Sequence, residues 1–320
     1  MTINPIYTKI LTDETLRETI AHGNEEYPFS YYLEDIWQFD FHCIDWHWHP
    51  EVEFVFVEKG SATLSAGSNR YVLTPGTGVF INTQVIHRFE SPEHVIIPNI
   101  VFSPSLLAPE GSLIYQKYIR PVLNSSVDCQ IFSTDHLWQK QILDILLSVF
   151  ALQEAESPCE IQTVQLLFQL WDILCEHLQT TENTPASTTD AHTQAQLQIM
   201  MQYMHTHYQH RILLDDIART VNLSKSSVLH IFHNYLHMTP VRYLIHYRLK
   251  CAAKLLNTTE NSISFIAQNT GFDNTGYFCR KFKELYQLTP SEYRRAEKIK
   301  LLELSSKAEN SMQQQWGIVR

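Results

Sequence analysis

Between residues 52 and 102 the apolar positions fall in short, closely spaced runs. VEFVFV (52–57), SATLSA (61–66), RYVLTPG (70–76), GVFIN (78–82) and HVIIPNIVF (94–102) are rich in β-branched and aromatic residues and are broken by Gly, Pro and Asn. Such runs predict strands, and many short strands in succession predict a sandwich or a small barrel. From residue 135 the period lengthens to that of a helix. Leu137, Ile142, Ile145, Leu146 and Val149 follow it, and so do Val164, Leu167, Leu170, Trp171 and Leu174. Pro158 lies between the two sets, so an antiparallel helical hairpin is predicted over 135–178. Residues 179–193, which include TTENTPASTTDAHT, have no periodicity and read as a linker. A helical pattern resumes over 194–300, and 301–320 read as a polar tail with no assigned role.

The helical block contains a repeat. DDIARTVNLSKSSVLHIFHNYLHMTPVRY (215–243) matches SFIAQNTGFDNTGYFCRKFKELYQLTPSEY (264–293). Ile217-Ala218 pairs with Ile266-Ala267 at an offset of 49, while Phe232, Thr239-Pro240 and Tyr243 pair with their partners at 50. One residue is therefore inserted in the turn of the second copy. Each copy reads as a helix-turn-helix: a small Ala where the second helix crosses the first, then a turn, which holds Gly271 in the second copy. Ser224 is the expected N-cap of one second helix, and Asp273 or Asn274 of the other. Thr-Pro opens a further helix after each copy. Two linked motifs can reach successive major-groove segments one turn apart, about 34 Å.

Charge sharpens this division. The 320-residue chain carries −10 overall, yet Lys+Arg to Asp+Glu is 8 to 25 up to residue 192, 14 to 7 over 193–300 and 2 to 2 beyond. A basic block on an acidic chain suggests that the block alone has an anionic partner, double-stranded DNA. The opening residues carry acids and no apolar core of signal-peptide length, and no run is long enough for a membrane span. The six cysteines form no Cys-x-x-Cys pair. A cytoplasmic protein with reduced thiols and no membrane partner is expected.

The second copy, GFDNTGYFCRKFKELYQLTPSEYRR, resembles the signature of the AraC/XylS family of bacterial transcription regulators, and the resemblance extends over Gln194–Arg295. His237 and Gln287 depart from it, standing where the family usually has Gly. The exposed face of the first recognition helix offers Lys225, Ser226, Leu229, His230 and His233 to DNA. The second offers Asn274, Thr275, Arg280 and Lys283. The resemblance implies that the slots of His230 and Arg280 read base edges, Arg280 being suited to a bidentate bond with guanine. Arg242, Arg248, Lys250, Lys281, Arg294 and Arg295 are candidates for phosphate contacts.

DWHWHPEVEFVFVEKG (45–60) carries His-x-His, three residues, Glu, six residues, Gly, and resembles the first motif of a cupin. Its match is His47, His49, Glu53 and Gly60, and His87 falls where a fourth cupin ligand would lie. These four side chains are a ligand set for divalent Fe, Mn, Ni or Zn. A metal-dependent cupin oxygenase or isomerase carrying a DNA-binding domain is therefore the alternative reading. In AraC-type regulators a similar HWH…E segment begins a domain that senses sugars or other small molecules with no cofactor required. By that resemblance His47, His49, Glu53 and His87 line an effector pocket, to which Trp46 or Trp48 adds an aromatic face. In similar regulators a helical hairpin also pairs two subunits.

The expected architecture is two domains. Residues 1–178 form an all-β cupin-like barrel with a helical hairpin, for ligand binding and dimerisation. Residues 194–300 form an all-α tandem helix-turn-helix domain. The expected function is a transcriptional activator that answers to a sugar-like effector, acts as a homodimer and contacts RNA polymerase.

Overall fold

The computed structural model describes residues 10–296 apart from 14, 40–41, 156–158 and 181–187. The polar tail, the Pro158 turn and residues 181–187 of the expected linker therefore lie outside the described residues. The chain divides into two compact units, one of residues up to Ile199 together with Ile231–His237, the other of the remainder. Each is described by itself.

The strands of the first unit are β1 (Phe29–Asp35), β2 (Cys43–His47), β3 (Val52–Phe56), β4 (Ala62–Ala66), β5 (Asn69–Leu73), β6 (Gly78–Ile81), β7 (His87–Glu90), β8 (Ile96–Phe102) and β9 (Cys129–Phe132). They form two sheets, in the orders β1-β8-β3-β6-β9 and β2-β7-β4-β5, with every pairing antiparallel. Four of them, β1, β2, β7 and β9, go beyond the strands expected from the apolar runs. In β1, β2 and β7 inward-facing polar residues, Tyr32 and Glu34, His47, and His87, hide the alternation.

The central strand β3 is buried on both faces, and this sets the layering. Val55 and Val57 point between the sheets with Leu64, Leu73, Val79, Ile81 and Phe89. Val52 and Phe54 point the other way, onto a layer of helices. That layer holds α1 (Arg120–Leu123), α2 (Leu137–Glu154) and α3 (Glu160–Thr180). Ile142, Leu146 and Val149 of α2 and Leu167, Leu170, Trp171 and Leu174 of α3 supply its apolar stripe. The hairpin is thus the second wall of the domain core. A Cβ on Gly78 would come within 2.7 Å of the Leu143 side chain, so the absence of one lets Leu143 of α2 pack directly on β6.

The helices after the hairpin are α4 (Thr188–His207), α5 (Leu214–Thr220), α6 (Lys225–Leu236), α7 (Pro240–Thr258), α8 (Ile263–Asn269) and α9 (Thr275–Tyr286), and residues 290–296 are also helical. Helix α4 begins at Thr188, inside the segment expected to be linker. The repeat is realised element by element. α5 and α8 have equal lengths at an offset of 49, α6 and α9 equal lengths at 50, and the inserted residue lies in the turn between them. Each turn has one left-handed residue in the same place, Asn222 (φ 53°) and Gly271 (φ 80°). Ala218 and Ala267 are buried where the helices cross. In the second motif Leu249, Ala252 and Leu256 of α7 pack on Ile266 of α8 and on Phe278 and Phe282 of α9. Tyr293 closes this core, its ring 4.8 Å from that of Tyr286.

The two departures from family glycine have a structural consequence. His237 (φ 51°) and Gln287 (φ 58°) both adopt the left-handed conformation that glycine takes at no steric cost. Gln287 is exposed at the end of α9. Gln287→Gly is therefore expected to stabilise the protein by about 1 kcal/mol. Urea denaturation checks this, and a loss of stability would refute the strain.

Candidate functional site

A bulge creates the barrel site. β2 pairs with β7 through Ile44↔Phe89 and His47↔His87, with a register shift between them. The shift reverses the alternation, so Ile44 and His47 both face the cavity although they are three residues apart. His49 follows, Glu53 projects inward from β3, and His87 stands opposite His47 with ring centroids 4.1 Å apart. All four side chains are buried. Trp46 and Trp48, expected to add an aromatic face, are not among the residues that line this cavity. Trp46 is buried elsewhere, and Trp48 donates its Nε1–H to the carbonyl of Thr15.

Each of the three imidazoles is oriented by a backbone carbonyl. Nδ1 of His47 lies 2.8 Å from the oxygen of Asp45, that of His49 3.2 Å from Glu51, and that of His87 2.9 Å from Val85. A carbonyl only accepts, so each Nδ1 carries the hydrogen and each Nε2 of the neutral ring is a bare lone pair. One ligating nitrogen from each ring falls within 4.8 Å of the others. Glu53 Oε2 is 3.1 Å from His87 Nε2 and 3.5 Å from His49 Nε2. The 3.1 Å contact lacks hydrogen-bond geometry, and Glu53 Oε2 and His87 Nε2 are both buried without a hydrogen bond. Burial, and then the neighbouring His87, pulls His47 down to about 3. Burial also opposes charge on Glu53, but the contacts with His49 and His87 outweigh it and hold the carboxyl well below its ordinary value. That ionised carboxylate calls for a positive charge beside it, whether protons on the imidazoles or a bound cation.

The sequence did not point to the rest of the cavity. Tyr32 and Glu34 alternate inward from β1, and Asn99 from β8 donates to Glu34 Oε2 at 2.9 Å. A polar Asn in the otherwise apolar run IIPNIVF was the available signal. Glu18 and His22 arrive on the N-terminal segment. That segment is held along the barrel by Glu18 N–H to the Trp48 carbonyl at 2.9 Å and Trp48 N–H to the Leu16 carbonyl at 3.0 Å. Glu18 and His22 make a buried ion contact of 3.3 Å, and His22 Nδ1 lies 2.9 Å from the Tyr32 hydroxyl. Ile10, Ile20, Phe89 and Val101 complete the wall. The cavity measures about 40 Å³, room for a few waters at the ~10–15 Å³ each needs.

Burial, then the charge of Glu53, pushes Glu34 up to about 8. The native state therefore keeps a proton that the unfolded chain loses near the ordinary carboxyl value, and stability falls as pH rises from there to about 8. Glu34→Gln removes this penalty. In chelator-treated protein it should be more stabilising at pH 8 than at pH 5, and equal effects at the two pH values would contradict the assignment.

The second candidate site is the pair of recognition helices. Ser226, Leu229, His230 and His233 are exposed on α6, while Val228, Ile231, Phe232, Tyr235 and Leu236 are buried. Lys225 is exposed at the start of α6, where it forms an ion pair of 2.8 Å with Asp215. Ser224 accepts from Ser227 N–H, and Asn274, rather than Asp273, accepts from Tyr277 N–H at 2.8 Å. The Asn274 carbonyl oxygen is thus committed to capping α9. Thr275 is half-buried, whereas Lys283 and Arg280 are exposed. The Arg280 guanidinium lies 5.3 Å from the centroid of Tyr277, with Nε 3.9 Å from Glu284. Two of the expected phosphate contacts have internal roles instead. Arg248 donates to the carbonyls of Tyr208 and His210, each at 2.7 Å, and Arg294 to those of Leu256 at 3.2 Å and Asn261 at 2.6 Å. They tie helix ends together, and a Cβ on Gly271 would run into the same Tyr208 carbonyl and Arg248.

Among the described residues, no helix is long and apolar enough to cross a membrane. Residues 217–296 match a helix-turn-helix domain family and residues 34–171 the AraC-like ligand binding domain family. The chain is 29% identical over 285 residues to the HTH-type transcriptional regulator YdeC of Bacillus subtilis (strain 168), covering 88% of this chain and 97% of that protein. It is 26% identical to the HTH-type transcriptional activator RhaR of Mannheimia succiniciproducens, over 78% of this chain and 86% of the relative. It is 26% identical to the lactose operon transcription activator of Staphylococcus xylosus, over 48% of this chain and 54% of the relative. An AraC-like ligand-binding domain followed by a duplicated helix-turn-helix places the chain in the AraC family of DNA-binding transcriptional regulators.

Proposed function

We propose that the chain is a cytoplasmic transcription activator in which occupancy of the barrel pocket changes how the paired recognition helices are presented to DNA. The carrying observation is the pairing of a pocket lined by His47, His49, Glu53 and Glu34 with two exposed recognition faces on one chain. A ligand shifts such a protein only by its differential affinity for two states. A sugar or related metabolite is the organic effector that the relatives support, one of them being a lactose operon activator. As an activator, the protein contacts RNA polymerase. Exposed Ile161 and Phe168 on α3, seven residues apart, and Leu137 and Leu147 on α2 support dimerisation through the hairpin. Sedimentation showing only monomer at micromolar concentration would reject the dimer.

The reading is tested by a thermal-shift screen of sugars and metabolites, followed by gel shifts with each stabilising compound. Stabilisation with an altered DNA affinity is expected. If no stabilising ligand changes DNA affinity, the reading fails. The second reading, a metal-dependent cupin enzyme carrying a DNA-binding domain, draws on the convergence of His47, His49, His87 and Glu53. It predicts that loading the pocket leaves DNA affinity unchanged.

A further inference from the structure

We propose that Leu229 reads the C5-methyl group of a thymine, so that the first recognition helix selects an apolar group where the second presents a guanidinium. The inference rests on α6 and α9 being the recognition helices of the two motifs. It adds the chemistry by which the first of them chooses a base.

A single exposed leucine needs no explanation in itself. The place of this one does. Positions 225, 226, 229, 230 and 233 share one face of α6, and Leu229 lies at its centre, one turn after Lys225 and one before His233. Val228, Ile231 and Phe232 fill the opposite face and are buried, whereas Leu229 is 41% exposed. The core therefore does not hold it. Around it, Lys225 is paired with Asp215 of α5 at 2.8 Å, and Ser226 is a short side chain.

The repeat supplies an internal comparison. At the offset of 50 that aligns α6 with α9, Leu229 corresponds to Cys279 and His230 to Arg280. Cys279 is half-buried and packs against the core of the second motif. The shared slot is partly covered in the second copy and open in the first, and only the first presents a large apolar side chain there.

The major groove fixes the partner. Guanine, adenine and cytosine show donors and acceptors in it, and the C5-methyl of thymine is the apolar group among the four bases. A leucine pressed on a polar base edge strips it of water and returns no hydrogen bond, which weakens binding. Against a methyl group it buries apolar surface on both sides. Leu229 thus favours thymine and disfavours the other three bases at one position.

The test uses the full-length protein and a duplex recovered by selection from a random pool. Each thymine of the bound site is replaced in turn by deoxyuridine, which deletes the methyl and leaves every hydrogen-bonding group in place. One position should cost the wild type about 4-fold in affinity, the equivalent of one buried methyl group. The same exchange should be neutral for Leu229→Ala and remain costly for Leu229→Met, whose side chain still reaches the methyl. Because Leu229 lies outside the core, both variants should keep the wild-type thermal transition. A loss of equal size in the wild type and in Leu229→Ala would overturn the assignment, since another residue then meets the methyl. So would a selected site in which no thymine is sensitive to the exchange, although base reading by the other residues would stand. If selection enriches no sequence at all, base reading by both helices falls and the inference falls with it.

Discussion

Replacing Arg280 with alanine is expected to weaken specific DNA binding by about 1–3 kcal/mol, roughly 5- to 150-fold, and to relax one base position in the site. Arg280 projects from α9 with its side chain 67% exposed, so its loss should change folding stability by less than about 0.5 kcal/mol. Tyr277 and Glu284 flank its guanidinium on the same helix. A fork held in one orientation loses less entropy on meeting a guanine edge. Arg242→Ala is the control, because Arg242 is an exposed candidate for a phosphate contact, and losing such a contact weakens all sequences alike and lowers the salt slope by about 1. Equal affinity of the Arg280→Ala protein for its preferred site and for a mutated one, against discrimination in the wild type, confirms base reading. Discrimination left intact assigns Arg280 elsewhere.

Phe54→Ala is expected to cost the first unit about 3–5 kcal/mol. Phe54 is fully buried, and its ring lies 5.1 Å from Phe80, 6.1 Å from Phe102 and 6.5 Å from Phe132. These rings join the five-stranded sheet to the α2–α3 layer, so truncation leaves a cavity that the stiff sheet cannot collapse. A domain stable by ~5–15 kcal/mol would lose a large share of its margin. Urea denaturation reads the change. A cost below about 1 kcal/mol would mean that the helices do not seal this face.

The helix-turn-helix repeat was legible because its signals are local. Ala at the crossing, a turn, an N-cap and Thr-Pro all lie within thirty residues of one another, and the 49 and 50 offsets located the insertion. The barrel was legible wherever a strand faces apolar surroundings, as β3, β6 and β8 do. Strands β1 and β2 were obscured because Tyr32, Glu34 and His47 point into a polar cavity. The bulge between Ile44 and His47 is a pairing event with β7 that single-strand alternation cannot show. Alternation does place Trp46 and Trp48 away from His47 and His49, so their exclusion from the pocket was readable. Glu18 and His22 reach the site only through contacts of their segment with Trp48, which no short-range pattern encodes. Arg248 and Arg294 look like any basic surface residue in sequence, and only the carbonyls they meet reveal a structural role.

In vitro selection of bound duplexes from a random pool tests the central claim most directly. A tandem helix-turn-helix regulator should enrich two short sequence blocks with centres about one helical turn, ~10 bp, apart. The block read by α9 should lose definition when the selection is repeated with Arg280→Ala. Enrichment of no sequence at all, with only salt-sensitive binding, would contradict the account.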